Sequence, residues 1–139
     1  MPDSDFSKSM TIATSGLRAQ SGRMRVISEN LANADSTATT PGGDPYRRKI
    51  PTFSAELDRT IDAQVVTLGR IKQDDSAFII KHEPGHPAAD ANGDVKYPNV
   101  NSTIEMTDMR EAQRSYEANL NLISATRRMI ERTLDILKS

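Results

Sequence analysis

The sequence contains no cysteine and no tryptophan, and aromatic residues make up only 4% of its 139 positions. Without cysteine, the chain has no disulfide framework, no thiolate metal ligand and no cysteine nucleophile. Apolar residues of all kinds amount to 36%, which is a thin supply for a compact core in a chain of this length. We therefore expect other molecules to complete the burial of its apolar surface.

The chain also lacks an excess of either charge. Its 18 basic and 19 acidic residues give a formal net charge of -1, without the positive excess typical of a nucleic-acid binder, so no nucleic-acid partner is predicted. No segment approaches the roughly 18 to 20 consecutive apolar residues that cross a bilayer, and residues 1–10 lack a basic region followed by an apolar run. The sequence predicts neither a direct membrane span nor a general-secretory signal.

Two stretches with a seven-residue apolar repeat are present, one at each end of the chain. One runs from Ser7 or Ser9 to about Ala34, and the other covers residues 103–137 without proline or glycine. We predict a mainly α fold with a small β subdomain, in which long N- and C-terminal helices pack as a coiled-coil-like pair. The candidate subunit-interface residues are Met10, Leu17, Met24, Ile27 and Leu31 in the first stripe, and Met109, Tyr116, Leu120, Ile123, Ile130, Leu134 and Leu137 in the second.

The stripes leave two interpretations open: two helices of an ordinary bundle core, or a filament-forming pair whose outer faces pack on neighbouring copies. Gly16 and Gly22 indicate either a soft helix or the close approach of another backbone, and we favour close approach. Polar residues beside the stripes weaken a two-helix coil while helping to specify its register. These polar residues are Gln20 in the first stretch and Asn119, Thr126 and Thr133 in the second.

Between the helices, the sequence predicts a connecting loop and a short β-rich insert. We divide the chain into an N-terminal helix at 1–35, a loop with a short amphipathic segment at 36–64, a β-rich subdomain at 65–102 and a C-terminal helix at 103–139. The strand candidates are residues 65–71 and 77–83 with a polar turn between them, and Asn92-Gly93 predicts a hairpin turn. The basic triplet at 47–49 is typical of a solvated surface, with a contact patch as the alternative.

One motif would indicate catalysis if it were helical. His82-Glu83-Pro84-Gly85-His86 matches the H-E-x-x-H pattern, in which two histidines one helical turn apart hold zinc beside a general base. The two prolines at 84 and 87 prevent a helix there, so the imidazoles cannot share a helix face. We predict no catalytic residue, no metal ligand and no cofactor. A metal-dependent hydrolase using His82, Glu83 and His86 stays as an alternative hypothesis.

Several longer segments resemble the bacterial flagellar rod and hook proteins. The N-terminal signature of that family is similar to SGLRAQ at 15–20 and RMRVISENLANA at 23–34, and the second half agrees through PGHP at 84–87, YPNVN at 97–101 and EAQRSYEAN at 111–119. Asp94 departs from the family, which more often has an aromatic residue there. The signature residues are Ser28, Asn30, Leu31, Ala32, Asn33, Tyr46, Arg47, Pro98, Asn99, Val100, Tyr116, Glu117 and Asn119.

The resemblance implies a structural subunit of the proximal rod in the flagellar basal body, not an enzyme, with its terminal helices forming the inner tube. It also implies export through the flagellar type III apparatus without a cleaved signal peptide, and a periplasmic position. The implied partners are copies of the chain itself, other rod proteins, the adaptor protein FliE and the membrane-embedded MS ring. An adaptor that binds one target helix in its groove stays open as a further class.

Overall fold

The computed structural model describes the backbone of residues 2–139 and the side chains of residues 5–139. Helix α1 spans Pro2–Ala32 and helix α2 spans Ser102–Lys138. The fold is mainly helical with a small antiparallel β region, which confirms the predicted class. Six short strands lie between the helices: β1 (Lys49–Ile50), β2 (Phe53–Asp58), β3 (Ala63–Leu68), β4 (Lys72–Gln73), β5 (Ile79–His82) and β6 (Asp94–Tyr97).

The strands form three separate two-stranded antiparallel sheets. Strand β1 pairs with β4, β2 with β3, and β5 with β6. In the longest ladder, Phe53 lies opposite Leu68 and Asp58 lies opposite Ala63. A two-stranded hairpin has little stability of its own in water, so each sheet depends on what it packs against.

Residues 53–61 differ from the sequence prediction of a short amphipathic segment, because they form strand β2 and the start of a hairpin turn. The turn is stabilised locally: Asp58 Oδ1 accepts a hydrogen bond from the Thr60 amide at 2.8 Å, and Asp62 takes the left-handed conformation with φ 49°. The boundary drawn at residue 64 therefore falls inside β3. The strands predicted at 65–71 and 77–83 exist in shorter form, but each pairs with a different strand rather than with the other.

Both helices have capped inner ends. Asn101 Oδ1 accepts hydrogen bonds from the Thr103 and Ile104 amides at 3.0 and 3.3 Å, which satisfies two of the free donors at the start of α2. At the end of α1, the Asn33 side chain donates to the Glu29 carbonyl at 2.8 Å. The first helix begins at Pro2, before Ser7 or Ser9, where the sequence analysis expected its start.

The chain divides into two compact units, each built from separate segments. The helical unit comprises residues up to 24, 52–70 and 110–139, and the polar unit comprises residues 25–51 and 71–109. Each long helix therefore contributes to both units. Within the described residues, neither helix contains a stretch long and apolar enough to cross a membrane.

Candidate assembly surface

The two helices of the helical unit approach each other through small side chains. Ala13, Ala19 and Ala112 are almost completely buried. A Cβ atom added to Gly16 would lie 2.9 Å from the side-chain nitrogen of Asn119, so α1 packs directly against a side chain of α2 at this point. Because the distance between packed helices depends on the side chains at the contact, small residues permit this approach. We refer to these five residues, together with Thr126, as the small-residue seam.

The polar members of the seam satisfy their hydrogen bonds within α2. Thr126 is buried and its hydroxyl donates to the Leu122 carbonyl at 2.9 Å, while the Asn119 amide donates to the Ser115 carbonyl at 3.0 Å. Gln20 differs, since its buried Oε1 has no hydrogen-bond partner among the described residues. Gln20, Asn119 and Thr126, which the sequence analysis expected to weaken the helix pair, therefore lie on its buried side.

The large apolar side chains of α2 face outward instead. Leu120 is 46% exposed, Leu134 is 48% exposed and Leu137 is 77% exposed. Of the other candidate interface residues, Ile27 is buried within the polar unit. Those that are half-buried are Met10, Leu17, Met24, Leu31, Met109, Tyr116, Ile123 and Ile130.

The β2–β3 hairpin packs on α1 at the two positions where a small residue permits contact. Ser15 Oγ accepts a hydrogen bond from the Val66 amide at 3.2 Å. A Cβ atom on Gly22 would lie 2.7 Å from Leu68 Cδ2, so the missing side chain makes room for that leucine. Both glycines of α1 are therefore closely packed, but the neighbouring atoms belong to the side chains of Asn119 and Leu68 and not to another backbone, which the sequence analysis favoured.

An open apolar groove of about 330 Å³ lies along the outside of the helical unit. Its floor includes the buried Thr126, and its apolar walls include Ile12 and Met129, which are 40% and 48% exposed. The complete lining is Asp5, Phe6, Ser9 and Ile12 from α1 and Leu122, Thr126 and Met129 from α2. We refer to it as the apolar groove.

The polar unit is organised around the buried side chain of Asn30. Its Oδ1 accepts hydrogen bonds from the Lys49 amide at 2.9 Å and the Tyr46 hydroxyl at 2.8 Å. Its Nδ2 donates to the Lys49 carbonyl at 2.8 Å and to Glu105 Oε2 at 3.2 Å. These four bonds use the full capacity of the amide and connect the end of α1 with strand β1 and the start of α2.

Glu105 is 1% exposed and is held by a cationic partner. Arg48 Nε donates to Glu105 Oε1, and the same guanidinium reaches Asp74 at 3.3 Å and Asp108 at 3.7 Å. Burial opposes the charge of Arg48, but its hydrogen bonds to the carboxylates of Glu105 and Asp74 outweigh that and raise its pKa above the usual value. Hydrogen bonds from Ser76, followed by the contact with Arg48, lower the pKa of Asp74. The charges are paired, as burial requires.

Tyr46 is shielded by the same network. Partial burial, followed by the nearby carboxylates of Glu29 and Glu105, raises the pKa of Tyr46 to about 12. Lys49 forms an ion pair with Glu29 beside it. The neutral phenol is therefore the form that the folded polar unit favours.

Asn99 and Arg47 hold the segment that follows β4. Asn99 Oδ1 accepts from the Arg48 amide at 2.8 Å, and its Nδ2 donates to the Asp74 carbonyl at 3.0 Å. The Arg47 guanidinium donates to the same carbonyl at 2.8 Å and lies 4.2 Å over the Phe78 ring. The basic triplet is therefore engaged within the unit, where the sequence indicated a solvated surface.

The signature residues divide by role. Asn30, Tyr46, Arg47 and Asn99 form the hydrogen bonds of the polar unit, and Asn33 caps α1. Asn119 lies in the small-residue seam. Pro98 and Val100 are buried, Leu31 and Tyr116 are half-buried, and Ser28, Ala32 and Glu117 are exposed.

Sequence reasoning missed Arg48, Asp74 and Glu105 as a group. A signal was present, because the three adjacent cations have acidic residues at 74–75 and 105 among their possible partners. The pairing of Arg48 with Asp74 joins residues that are more than 25 positions apart in the sequence. No local pattern carries that information.

The H-E-x-x-H motif is not helical. His82 ends strand β5 with its Nδ1 2.9 Å from Asp94 Oδ1, and the His86 Nδ1 accepts the Ala88 amide at 3.0 Å. Glu83 accepts a hydrogen bond from the Tyr97 hydroxyl at 2.9 Å. Within the part of the chain that the structure describes, no three histidine, aspartate or glutamate side chains form a cluster suited to a metal ion.

Comparison with known proteins adds two family models and several relatives. The model "Flagella basal body rod protein" matches residues 10–38, and "Flagellar basal body rod FlgEFG protein C-terminal" matches residues 91–136. The flagellar basal-body rod protein FlgC of Agrobacterium fabrum is 53% identical over 134 residues, which covers 96% of both chains. The chain belongs to the FlgC family.

FlgC proteins with lower sequence identity agree with this assignment. That of Salmonella typhimurium is 40% identical over 90% of this chain and 92% of its own, and that of Bacillus subtilis is 38% identical over 94% and 97%. As a FlgC family member, the protein is a structural subunit of the flagellar basal-body rod and not an enzyme. The two family-model matches fall mainly on α1 and α2, the helices that carry the small-residue seam and the outward apolar side chains.

Proposed function

We propose that this rod subunit assembles through the outer faces of α1 and α2, which pack on neighbouring copies and on other rod proteins. The proposal rests on where small and large side chains lie. Small residues fill the contact between the two helices, and large apolar residues such as Leu120 and Leu134 face outward. Each apolar Å² removed from water contributes about 25 cal/mol, so covering this face stabilises an assembly. The face thus serves association rather than a closed core.

The neighbours we propose are the other flagellar rod proteins, a FliE-type adaptor and the MS ring, with the assembled rod crossing the periplasm as a drive shaft. Membership of the FlgC family supports assembly with flagellar components. The finer assignment rests on the resemblance to axial proteins, in which terminal helices build the inner tube. We propose on this basis that the helical unit lies toward the rod axis.

We also propose passage through the flagellar type III export apparatus as an unfolded chain. The helical unit supports this, because large apolar side chains of α2, such as Leu120 and Leu137, stay exposed in the single chain. Ordering the backbone costs about 1 to 2 kcal/mol per residue, and apolar contacts that form only on assembly cannot offset that cost in the isolated chain. A unit that becomes fully buried only in contact with its neighbours is easier to pass through the export apparatus as an unfolded chain.

A matched pair of substitutions tests the assembly face. Leu120→Asp places a carboxylate on the outward side of α2, whereas Asn121→Asp adds the same charge at the adjacent exposed position. We expect Leu120→Asp to abolish incorporation into rods and motility, with the circular dichroism of the isolated chain unchanged. Asn121→Asp is expected to retain both activities at more than about half the wild-type level, because it removes no apolar contact. Normal incorporation of Leu120→Asp at normal subunit levels would overturn the proposal.

A further inference from the structure

The apolar groove has the geometry of a docking site for one more helix. Its α1 side presents Phe6, Ser9 and Ile12 and its α2 side presents Leu122 and Met129. The α1 positions are three residues apart, and the α2 positions are separated by seven residues with Thr126 between them, so each set lies on one side of its helix. Helices recognised in such grooves insert apolar anchors spaced at i, i+4 and i+7. An occupant should therefore be helical and carry three apolar residues at that spacing.

The end of α2 carries such a set. Ile130, Leu134 and Leu137 stand at i, i+4 and i+7 on one face, and their exposure rises along it, from half-buried at Ile130 to 48% and 77% at the two leucines. The apolar face of α2 thus extends past Ile130, the last of these three residues that the rest of the chain half-buries. Nothing within the described residues covers Leu137.

The end of α2 cannot enter the groove of its own chain. Leu122 and Met129, which form one wall, lie on the same continuous helix only about two to four turns before Leu137. A straight helix cannot fold back over that distance. The occupant has to come from another molecule.

We propose that the last two turns of α2 from one copy occupy the apolar groove of a second copy, with Leu134 and Leu137 as anchors; this rests on the assembly proposed above and names its contact. Charge complementarity supports the choice of occupant. Asp5 lies at the groove, and Lys138, four residues after Leu134, is a neighbour of that anchor on the helix surface. The lysine ammonium of one copy then meets the carboxylate of the next.

Such a contact joins two different surfaces of the same chain. Head-to-tail contacts of this kind generate rings or open helical filaments, whereas a contact between identical patches stops at a dimer. A groove at one place and an anchor helix at another therefore suit a subunit that adds to a growing rod.

Disulfide cross-linking tests the contact directly, because the sequence has no native cysteine. The full chain carrying Ser9→Cys and Leu137→Cys is produced in flagellated cells without the native copy, and isolated basal bodies are oxidised. We expect dimers and higher multimers on a non-reducing gel, and no cross-link in either single variant. The control pairs Leu137→Cys with Ser21→Cys, which is exposed on α1 about 18 Å along the helix from Ser9. It should give no cross-link.

Charge reversal provides an independent test if the cysteine variants fail to assemble. Asp5→Lys and Lys138→Asp should each lower rod incorporation about twofold to fivefold, the range of an exposed ion pair, and the double variant should restore it. Assembled rods without the 9–137 cross-link, an equally strong 21–137 cross-link, or no restoration in the double variant would overturn the inference. The assembly face itself would still stand if Leu120→Asp abolished incorporation, so the two failures are distinguishable.

Discussion

The helical unit and the polar unit hold their segments together by opposite means. In the polar unit, Asn30, Arg48, Asn99 and Glu105 connect three segments through hydrogen bonds whose partners all lie within the unit. In the helical unit, alanine and glycine residues bring the helices together while Leu134 and Leu137 stay in solvent. One unit satisfies its own buried groups, and the other leaves apolar surface for a neighbour. We infer that the polar unit is held by its own hydrogen bonds, whereas the helical unit supplies the contacts proposed above for assembly.

Removing the cation of the polar unit should have the largest effect on stability. Arg48→Met leaves the Glu105 carboxylate buried without its main charged partner, which costs about 3 to 5 kcal/mol. Chemical denaturation of the isolated protein, followed by circular dichroism, measures the change. Arg127→Met, at an exposed position of α2, is the control and should change the free energy of unfolding by less than about 0.5 kcal/mol. Equal stability of the two variants would show that the network does not hold the unit together.

Widening the small-residue seam should have the next largest effect, and should act on the helical unit. Gly16→Val places a branched side chain where even a Cβ atom lies 2.9 Å from Asn119, and such overpacking costs about 1 to 3 kcal/mol. We expect a severe loss of rod incorporation, because this unit has little internal stability to spare. Ser21→Val adds a branched residue at an exposed position of the same helix and controls for helix propensity. Incorporation equal to the control would contradict close packing at Gly16.

High pH should weaken the polar unit through Tyr46. Its pKa is raised from 10.0 to about 12, so its contribution is complete below pH 10 and is lost as the pH rises from 10 to 12. The wild type should lose more stability than Tyr46→Phe between about pH 9 and about pH 11. The phenylalanine variant starts lower by about 1 kcal/mol, since it lacks the hydrogen bond to Asn30. Parallel losses in both proteins would show that Tyr46 is not the group that titrates.

The smallest effect is expected at the exposed pair of His82 and Asp94. His82→Ala removes a contact between side chains that are 66% and 39% exposed, and surface substitutions usually change stability by less than about 0.5 kcal/mol. Motility and denaturation should both stay near wild type. A large loss of motility with unchanged stability would identify the loop that follows β5 as a further contact surface.

The sequence was sufficient to predict both long helices, because a seven-residue repeat is local information. Capping and hairpin details were harder. Strand β2 was not recognised as a strand. All but its last residue are exposed, so the strand does not need the alternation of apolar and polar residues that would mark it in the sequence. Its pairing with β3 depends on a turn at residues 59–62 that includes an aspartate with positive φ, a conformation that glycine adopts more readily.

The candidate site was predictable in class but not in detail. Periodicity identified the apolar stripe, yet it could not show that the polar column of Asn119 and Thr126 is the buried side. That outcome depends on hydrogen bonds to carbonyls four residues earlier, which allow a polar side chain to be buried cheaply. Likewise, resemblance singled out Asn30 and Asn99, but their partners became visible only in the fold.

Hydrogen exchange on the dilute subunit and on assembled rods tests most directly the claim that one unit is complete and the other is completed by neighbours. We predict slow amide exchange at residues 25–32 and in the strands of the polar unit in both samples. At residues 10–24 and 110–137, we predict fast exchange in the dilute subunit and slow exchange in rods, because these helices gain most of their burial on assembly. Strong protection of both terminal segments in the dilute subunit would show that the helix pair is stable alone, and would contradict the account.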